Sequence, residues 1–544
     1  MAATPLCATH LNPRRDGYWP DRSLVDLFDE TVERYGDRDA LVDGSTRFTF
    51  SALRQQAESI AKGLLSLGVK SGGVVAYQLP NWWEAVAVFW ATLRIGATVN
   101  PLLPIFRESE LRFTLRQSGA TVLFIPGVYR GCDHRALIGS NRTDLPALQH
   151  VLVVRDTPSE GCVAFSSLAT PHSQRPTLDG NTVQVDPDSI ALLMYTSGTT
   201  AEPKGVLHTH NSLAAEVLSL QRVHSLTPND RTLMASPLTH ISGVIHAILV
   251  PALLGTSAVL MERWQSSQAV QLIERERVTY MVGAPTFLQD LLTQIESAHD
   301  PTTSARSLSS LRLFSCGGAA VSPALVERAR ARLPQCVAKR VYGSTEFPTL
   351  TTTSAADALT RGIDTEGCAI APAEVRIVDS HEQVLPAGEE GEVQGRGPEC
   401  FVGYLDAALN AESFTSDGWF RTGDLGVLDG EGYLQITGRL KDIIIRKGEK
   451  ISVREVEDAI AAHPAVAEVV VVALPDANTG ERACAAVRLR RGAQIDLATL
   501  SDFLSQRGLA RQKWPEQLLT VDDFPRTDSG KVIRAELRQR LSSV

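Results

Sequence analysis

From residue 23 onward, apolar side chains recur at helical spacing, then in short unbroken runs, and the two patterns alternate. Ser23 and Asp26 form a capping box, and Leu24, Leu27, Phe28 and Val32 share one helical face ahead of Gly36. Leu53, Ala57, Ile60, Ala61, Leu64 and Leu65 repeat that pattern up to Gly68, and a strand is predicted over 74–79. A second apolar helix is expected over 82–95, with fully buried strands over 122–125 and 151–154. Trp82, Trp83, Phe89 and Trp90 fall at helical spacing in that stretch, which makes them core rather than a ligand box. Further strands are predicted over 190–194, 280–282 and 311–315, and a helix over 323–332.

Beyond residue 375 the pattern shortens to β-rich segments separated by glycine turns (AEVRIVD, GEVQGRG, GYLQITG), as in a small barrel or twisted sheet. The last hundred or so residues read as a separate α+β unit. Ser452 and Glu455 cap a helix bearing Val453, Val456 and Ile460; strands follow over 469–472 and 483–489, and a helix over 497–507. The boundary between the two parts falls at 438–442.

At 544 residues with 43% hydrophobic and 21% charged composition, the chain can bury a large core in several domains. A net charge of -9 argues against nucleic acid or an anionic membrane as partner, so an anionic ligand needs a local cationic site. Residues 243–261 lack Asp, Glu, Lys and Arg over nearly a bilayer's span, but Pro251, Gly255, Thr256 and Ser257 interrupt them; a buried helix and strand are expected, with no transmembrane segment. Eight scattered cysteines without C-x-x-C or zinc-like spacing, and an amino terminus without a long apolar core, read as reduced thiols in a cytoplasmic protein.

The densest chemistry is YTSGTTAEPKG at 195–205. Gly198 and Gly205 permit close backbone approach, Thr196, Ser197, Thr199 and Thr200 offer hydroxyls, and Lys204 offers a charge, a set able to cradle a polyphosphate. A polar surface turn has the same composition, and the stretch is not the GxxxxGK[ST] loop. It does resemble the [ST]SGTTGxPKG signature of the adenylate-forming superfamily, with Ala201 in place of the usual glycine.

Five further segments extend that resemblance in order along the chain. In VYGSTE (341–346) it implies Tyr342 and Gly343 against adenine, Thr345 on the carboxylate and α-phosphate, and Glu346 as the Mg²⁺ ligand. SCGGAA (315–320) places Gly317, Gly318 and Ala319 beside nucleotide and acyl group, and GWFRTGD (418–424) places Asp424 on the ribose. GRLKDIIIRKGEKIS (438–452) gives Arg439 to ribose or phosphate, Lys441 to the hinge, and Lys447 with Gly448 to the CoA channel. PRTDSGKVIR (525–534) makes Lys531 the adenylation lysine.

The implied fold is α/β: a large N-terminal domain (1–438) of two α/β subdomains plus a small β-barrel, a hinge at 439–442, and a small mobile α+β C-terminal domain (443–544). The implied activity is an AMP-forming acyl-CoA synthetase that uses ATP, Mg²⁺ and CoA; a carrier-protein thiol as acceptor and a non-catalytic nucleotide-binding homologue are the alternatives, and a homodimer is left open. His240, Gly243, Gly283, Ala284 and Gly317 would line the acyl pocket, with His240 as gate. Small residues and the lack of Lys or Arg in those segments favour an apolar acid of medium size or a bulky ring. QLPNWWE with NPLLPIFRESEL is similar to cyclohexanecarboxylate-CoA ligases and their medium-chain relatives.

Overall fold

The computed structural model describes residues 12–169, 184–196, 203–297, 308–446, 449–476, 479–526 and 532–542. Ser23 Oγ accepts from the Asp26 N–H while the Asp26 carboxylate accepts from the Ser23 N–H, and the helix Leu24–Tyr35 follows. Its apolar face packs on the helix Trp83–Arg94, with the Phe28 and Trp90 ring centroids 4.5 Å apart. Burying rings of this size stabilises by roughly 2–3 kcal/mol each. Phe89 and Trp90 are sealed in the core, as their spacing required.

The apolar runs become two large sheets that interleave in sequence. Among the described residues, one has nine strands, with Val337–Tyr342, Leu313–Gly317, Tyr280–Gly283 and Arg231–Met234 side by side at its centre. Its far edge is the hairpin Asp39–Asp43 and Thr46–Thr49, supplied from the start of the chain. The eight-stranded sheet is built mainly from residues 74–209, yet its edge strand Gly403–Tyr404 comes from far downstream. Ile190–Thr196 pairs antiparallel with Lys204–Thr209, with Thr196 opposite Lys204. Lys204–Thr209 is therefore a return strand that periodicity alone did not reveal.

The apolar stretch 243–261 folds as Ile241–Gly243, a π-helical turn Val244–Leu249, the helix Val250–Leu254 and the strand Ser257–Leu260. No helix among the described residues is long and apolar enough to cross a membrane.

The expected barrel is instead an open sheet. Glu374–Val378, Glu390–Arg396, Phe420–Leu428 and Leu434–Arg439 lie in that linear order, and the two outer strands do not pair. Four strands are too few to curl to closure. Glu366 and Gly367 also occupy the Leu434 edge with backbone hydrogen bonds, leaving no room there for a closing strand.

The chain leaves this sheet at Arg439, turns through Leu440–Asp442 and enters a five-stranded sheet at Ile443. The helix Val453–Ala461 there docks back through Arg454 to Glu366 at 2.8 Å, and Arg340 reaches the same carboxylate at 3.4 Å. Ser452 Oγ also donates to the Thr437 carbonyl at 2.5 Å.

A polar layer is buried between the helix His210–His224 and its neighbours. Ser219 Oγ donates to Glu399 Oε1 at 2.5 Å, and Thr349 approaches Glu216 without closing a well-formed hydrogen bond. Burial pushes the Glu216 carboxyl up to about 8 and that of Glu399 up to about 7. Each binds its proton more tightly folded than unfolded, so the stability it contributes is full at low pH and lost as pH rises through those values. Buried His208 and His210, held down to about 4, and His246, held down to about 3, act in the opposite sense. Their contribution grows with pH and saturates above the ordinary histidine value of about 6.5. Stability to urea is expected to peak near pH 6.5 and to fall towards about pH 8, with Glu216→Gln reducing the fall. A midpoint that stays level or rises over that interval in both proteins contradicts this assignment.

Candidate active site

Three strands of the nine-stranded sheet end together. Gly283 is in register with Cys316, and Gly317 with Val341, so the turns after them sit side by side at the carboxyl edge, where open α/β sheets hold ligands. Gly318 takes a φ of 77°, a left-handed turn that a side chain would resist, and this brings SCGG back across the strand ends.

Beside this edge the Tyr342 hydroxyl donates to Asp424 Oδ2 at 2.7 Å, and Arg439 Nε pairs with Asp424 Oδ1 at 2.9 Å. Asp424 and Arg439 lie directly opposite each other on adjacent strands of the four-stranded sheet. Burial raises the Asp424 carboxyl above its usual range, opposed by the Arg439 guanidinium and the Tyr342 hydrogen bond. Tyr342 is held as a phenol by burial and by the neighbouring carboxylate. A carboxylate, an aromatic face and a half-open guanidinium in one place can accept from a vicinal diol, stack on a base and meet a phosphate.

A second group forms around Glu346. The Tyr404 hydroxyl donates to Glu346 Oε1 at 2.7 Å, the Phe401 N–H holds the Glu346 carbonyl at 2.8 Å, and the Lys204 ammonium lies 5.0 Å from the Tyr404 ring centroid. Tyr404 gets there because Val206, on the hairpin's return strand, is in register with it. His208, on the same return strand, meets the Thr345 carbonyl through Nε2 at 2.8 Å and Ser212 Oγ through Nδ1 at 3.3 Å. Burial keeps this imidazole neutral; the carbonyl can only accept, so Nε2 carries the proton. Sequence reasoning missed both residues. Their only signals were the tyrosine of FVGYLD and the doubled histidine of KGVLHTH.

Glu346 fits a Mg²⁺ ion that arrives with a nucleotide. Its Oε2 bonds no described residue, and no cluster of three His, Cys, Asp or Glu side chains occurs among the described residues. Mg²⁺ typically takes one or two carboxylates and completes its shell with phosphate and water.

The other expected positions fall into three groups. Thr196 and Lys204 face each other across the hairpin, whereas Ser197, Gly198, Thr199, Thr200, Ala201, Lys447, Gly448 and Lys531 lie outside the described residues. Lys441 is placed by its backbone in the Leu440–Asp442 turn. His240 caps the helical stretch that begins at Ile241, and the Ser242 N–H donates to its Nδ1 at 3.3 Å. A neutral ring accepting there carries its proton at Nε2, which makes it a donor rather than a base.

The argument from small residues to a roomy pocket needs correction. A side chain at Gly243 would meet the Pro237 carbonyl at 2.0 Å, at Gly283 the Phe287 ring at 2.6 Å, and at Gly317 Val341 at 2.4 Å. Those glycines let the protein's own elements approach; the faces they leave bare are already filled.

A two-sheet α/β body that holds a buried carboxylate with an aromatic partner beside a glutamate with one oxygen free among the described residues has the architecture of an adenylate-forming ligase. The chain belongs to the AMP-binding enzyme family, which matches residues 28–405, and the AMP-binding enzyme C-terminal domain matches residues 455–531. It is 35% identical over 537 residues to the medium-chain fatty-acid–CoA ligase of Escherichia coli (strain K12), covering 97% of this chain and 93% of that one. It is 34% identical to a salicylyl-CoA synthase / salicylate adenylyltransferase from a Streptomyces species, covering 96% and 95%. The anthranilate CoA ligase AuaEII, solved with anthranoyl-AMP, superposes with a TM-score of 0.84 at 26% identity, covering 96% and 98%. The protein is an acid–thiol ligase of a family that uses ATP and CoA.

Tyr404→Phe removes a hydrogen bond to a carboxylate, worth about 1.5–3 kcal/mol. It is expected to lower acid-dependent pyrophosphate release about tenfold or more and to raise the Mg²⁺ concentration for half-maximal rate, with the unfolding midpoint little changed. Unaltered Mg²⁺ dependence would show that Tyr404 does not orient Glu346.

Proposed function

We propose that the enzyme activates a medium-chain or alicyclic carboxylic acid as its acyl-adenylate and passes the acyl group to CoA. The observation that carries this reading is that one short segment carries both Tyr342, bonded to the Asp424 that pairs with Arg439, and Glu346, bonded to the Tyr404 that Lys204 overlies. In the first half-reaction a carboxylate oxygen attacks the α-phosphorus of ATP, and the bond to pyrophosphate breaks. In the second, the CoA thiolate attacks the acyl carbon and AMP leaves.

Each step assigns work to this chain. Thr196 to Thr200 and Lys204 would cradle the phosphates, Tyr342 with Gly343 and Gly317 to Ala319 would seat adenine, and Asp424 with Arg439 would fix the ribose. Glu346 would hold the Mg²⁺ that travels with ATP, whose charge eases the departure of pyrophosphate. Thr345, its carbonyl pinned by His208, would bond the carboxylate and α-phosphate, and His240 Nε2–H would donate to the same carboxylate. Lys531 would bridge the reacting oxygens in the transition state. Rotation about Lys441, between a body of 1–438 and a small domain of 443–544, would then exchange Lys531 for the Lys447–Gly448 channel wall.

The medium-chain relative and the similarity of the QLPNWWE region support an aliphatic or alicyclic acid. The salicylyl and anthranilate relatives favour a second reading, an aryl acid on the same machinery. Pyrophosphate release over straight-chain, alicyclic and aryl acids, with and without CoA, separates the two. CoA-dependent turnover is expected on octanoate or cyclohexanecarboxylate above benzoate and salicylate. The reverse order selects the aryl reading, and release that never depends on CoA removes CoA as the acceptor. Lys531→Ala should cut adenylate formation by about a hundredfold or more while thioester formation from synthetic acyl-adenylate stays within about tenfold. Equal loss of both half-reactions would defeat the proposed domain alternation.

A further inference from the structure

His246 lies on the π-helical turn Val244–Leu249, six residues beyond His240, and its Nδ1 is 2.5 Å from the Tyr280 hydroxyl. Tyr280 opens the strand that ends at Gly283. The helical stretch that His240 caps therefore leads to this pair, on the sheet face that Tyr280 shares with Val282. Six helical residues from His240 and three strand residues from Gly283 each amount to about 9–10 Å. π-Helical turns inside helices occur often at functional sites.

The polarity of the pair is set by what surrounds it. The Tyr280 phenol has no other hydrogen-bond acceptor among the described residues, so it donates to Nδ1. A neutral imidazole accepting at Nδ1 carries its proton on Nε2. Burial holds the ring neutral. No described residue bonds Nε2, and this nitrogen is not among the sealed ones, whereas both ring nitrogens of His224, whose ring lies 5.8 Å from Tyr280, are sealed without a well-formed hydrogen bond. An accessible N–H without a protein partner can donate to a bound ligand in place of water.

We propose that His246 Nε2–H is the distal hydrogen-bond donor of the acyl pocket, and that the acid activated here carries a neutral acceptor, a ketone or hydroxyl, about 10 Å from its carboxylate. This rests on the ligase reading above and refines its apolar substrate to an oxygenated one. A second carboxylate is disfavoured as the distal group. Burial here already pushes the Glu216 carboxyl up to about 8, so a further carboxylate would be penalised in the same way, and the nearby Lys339 ammonium is tied to the Thr353 carbonyl.

The test compares kcat/KM for CoA-dependent pyrophosphate release on octanoate, its ω-hydroxy and penultimate-keto derivatives, and a γ-keto isomer whose carbonyl lies too near the carboxylate. The wild-type enzyme is expected to prefer the two distal derivatives over octanoate by about tenfold, and not to prefer the γ-keto acid. In His246→Phe that ratio should fall to about one, whatever happens to the absolute rates; His246→Gln, which keeps an N–H donor, should retain part of it. If His246→Phe does not fold, the positional comparison in the wild type and the glutamine variant decide. Turnover of octanoate with no preference for distal oxygen, or an unchanged ratio in the variants, overturns the inference and leaves the ligase reading standing. No pyrophosphate release on any acid, aryl acids included, would overturn both.

Discussion

Asp424 is the point on which the site depends. Its carboxylate is buried, which is unfavourable for a charge, and it remains useful only because Tyr342 donates to one oxygen and Arg439 pairs with the other. Those partners come from different places: Tyr342 ends a strand of the nine-stranded sheet, while Arg439 is the last residue before the turn into the small domain. One carboxylate thus joins the carboxyl edge of the large sheet, the open four-stranded sheet and the segment about which the domains are proposed to turn. A change in Arg439 orientation would alter the charge balance at Asp424, and under the proposed function this would couple domain position to nucleotide occupancy.

The same economy appears around Glu346. The hairpin that carries Lys204 also carries His208 and, through its register with Gly403–Tyr404, Tyr404. A single return strand therefore fixes the Thr345 carbonyl, the Glu346 carboxylate and the cation at the hairpin base. Behind it lies a layer with more buried polar groups than packing alone requires. Glu216, Glu399, His224 and Lys339 are all enclosed, and uncompensated atoms among them cost stability. Proteins keep such groups where function or specificity makes use of them.

Much of the fold could be read from local signals. The Ser23 capping box, the helical spacing of Phe28 and Trp90, and the strands ending at Gly283 and Gly317 are local, and each reports its own structure. The motif text assigned Tyr342 to adenine, Asp424 to the ribose and Arg439 to ribose or phosphate, and the structure brings the three side chains together. What stayed hidden depends on pairing between remote segments. The edge hairpin at 39–49 belongs to a sheet whose other strands begin at 231, and nothing in its residues says so. Tyr404 reaches Glu346 only through a register with Val206. The barrel failed for the same reason, because Glu366 and Gly367 occupy the edge that closure needed. Glycines at 243, 283 and 317 advertise absent side chains, but sequence cannot say whether a ligand or a Phe287 ring fills the space.

The central claim is that the Tyr342–Asp424–Arg439 group is the nucleotide seat, and calorimetric titration of AMP tests it without relying on turnover or on the identity of the acid. The account predicts that Asp424→Asn, with an unfolding transition like that of the wild type, binds AMP at least about tenfold more weakly, because the hydrogen bonds a ribose makes to a charged acceptor are lost. AMP affinity equal to the wild type in a folded Asp424→Asn protein would contradict it and place the nucleotide elsewhere.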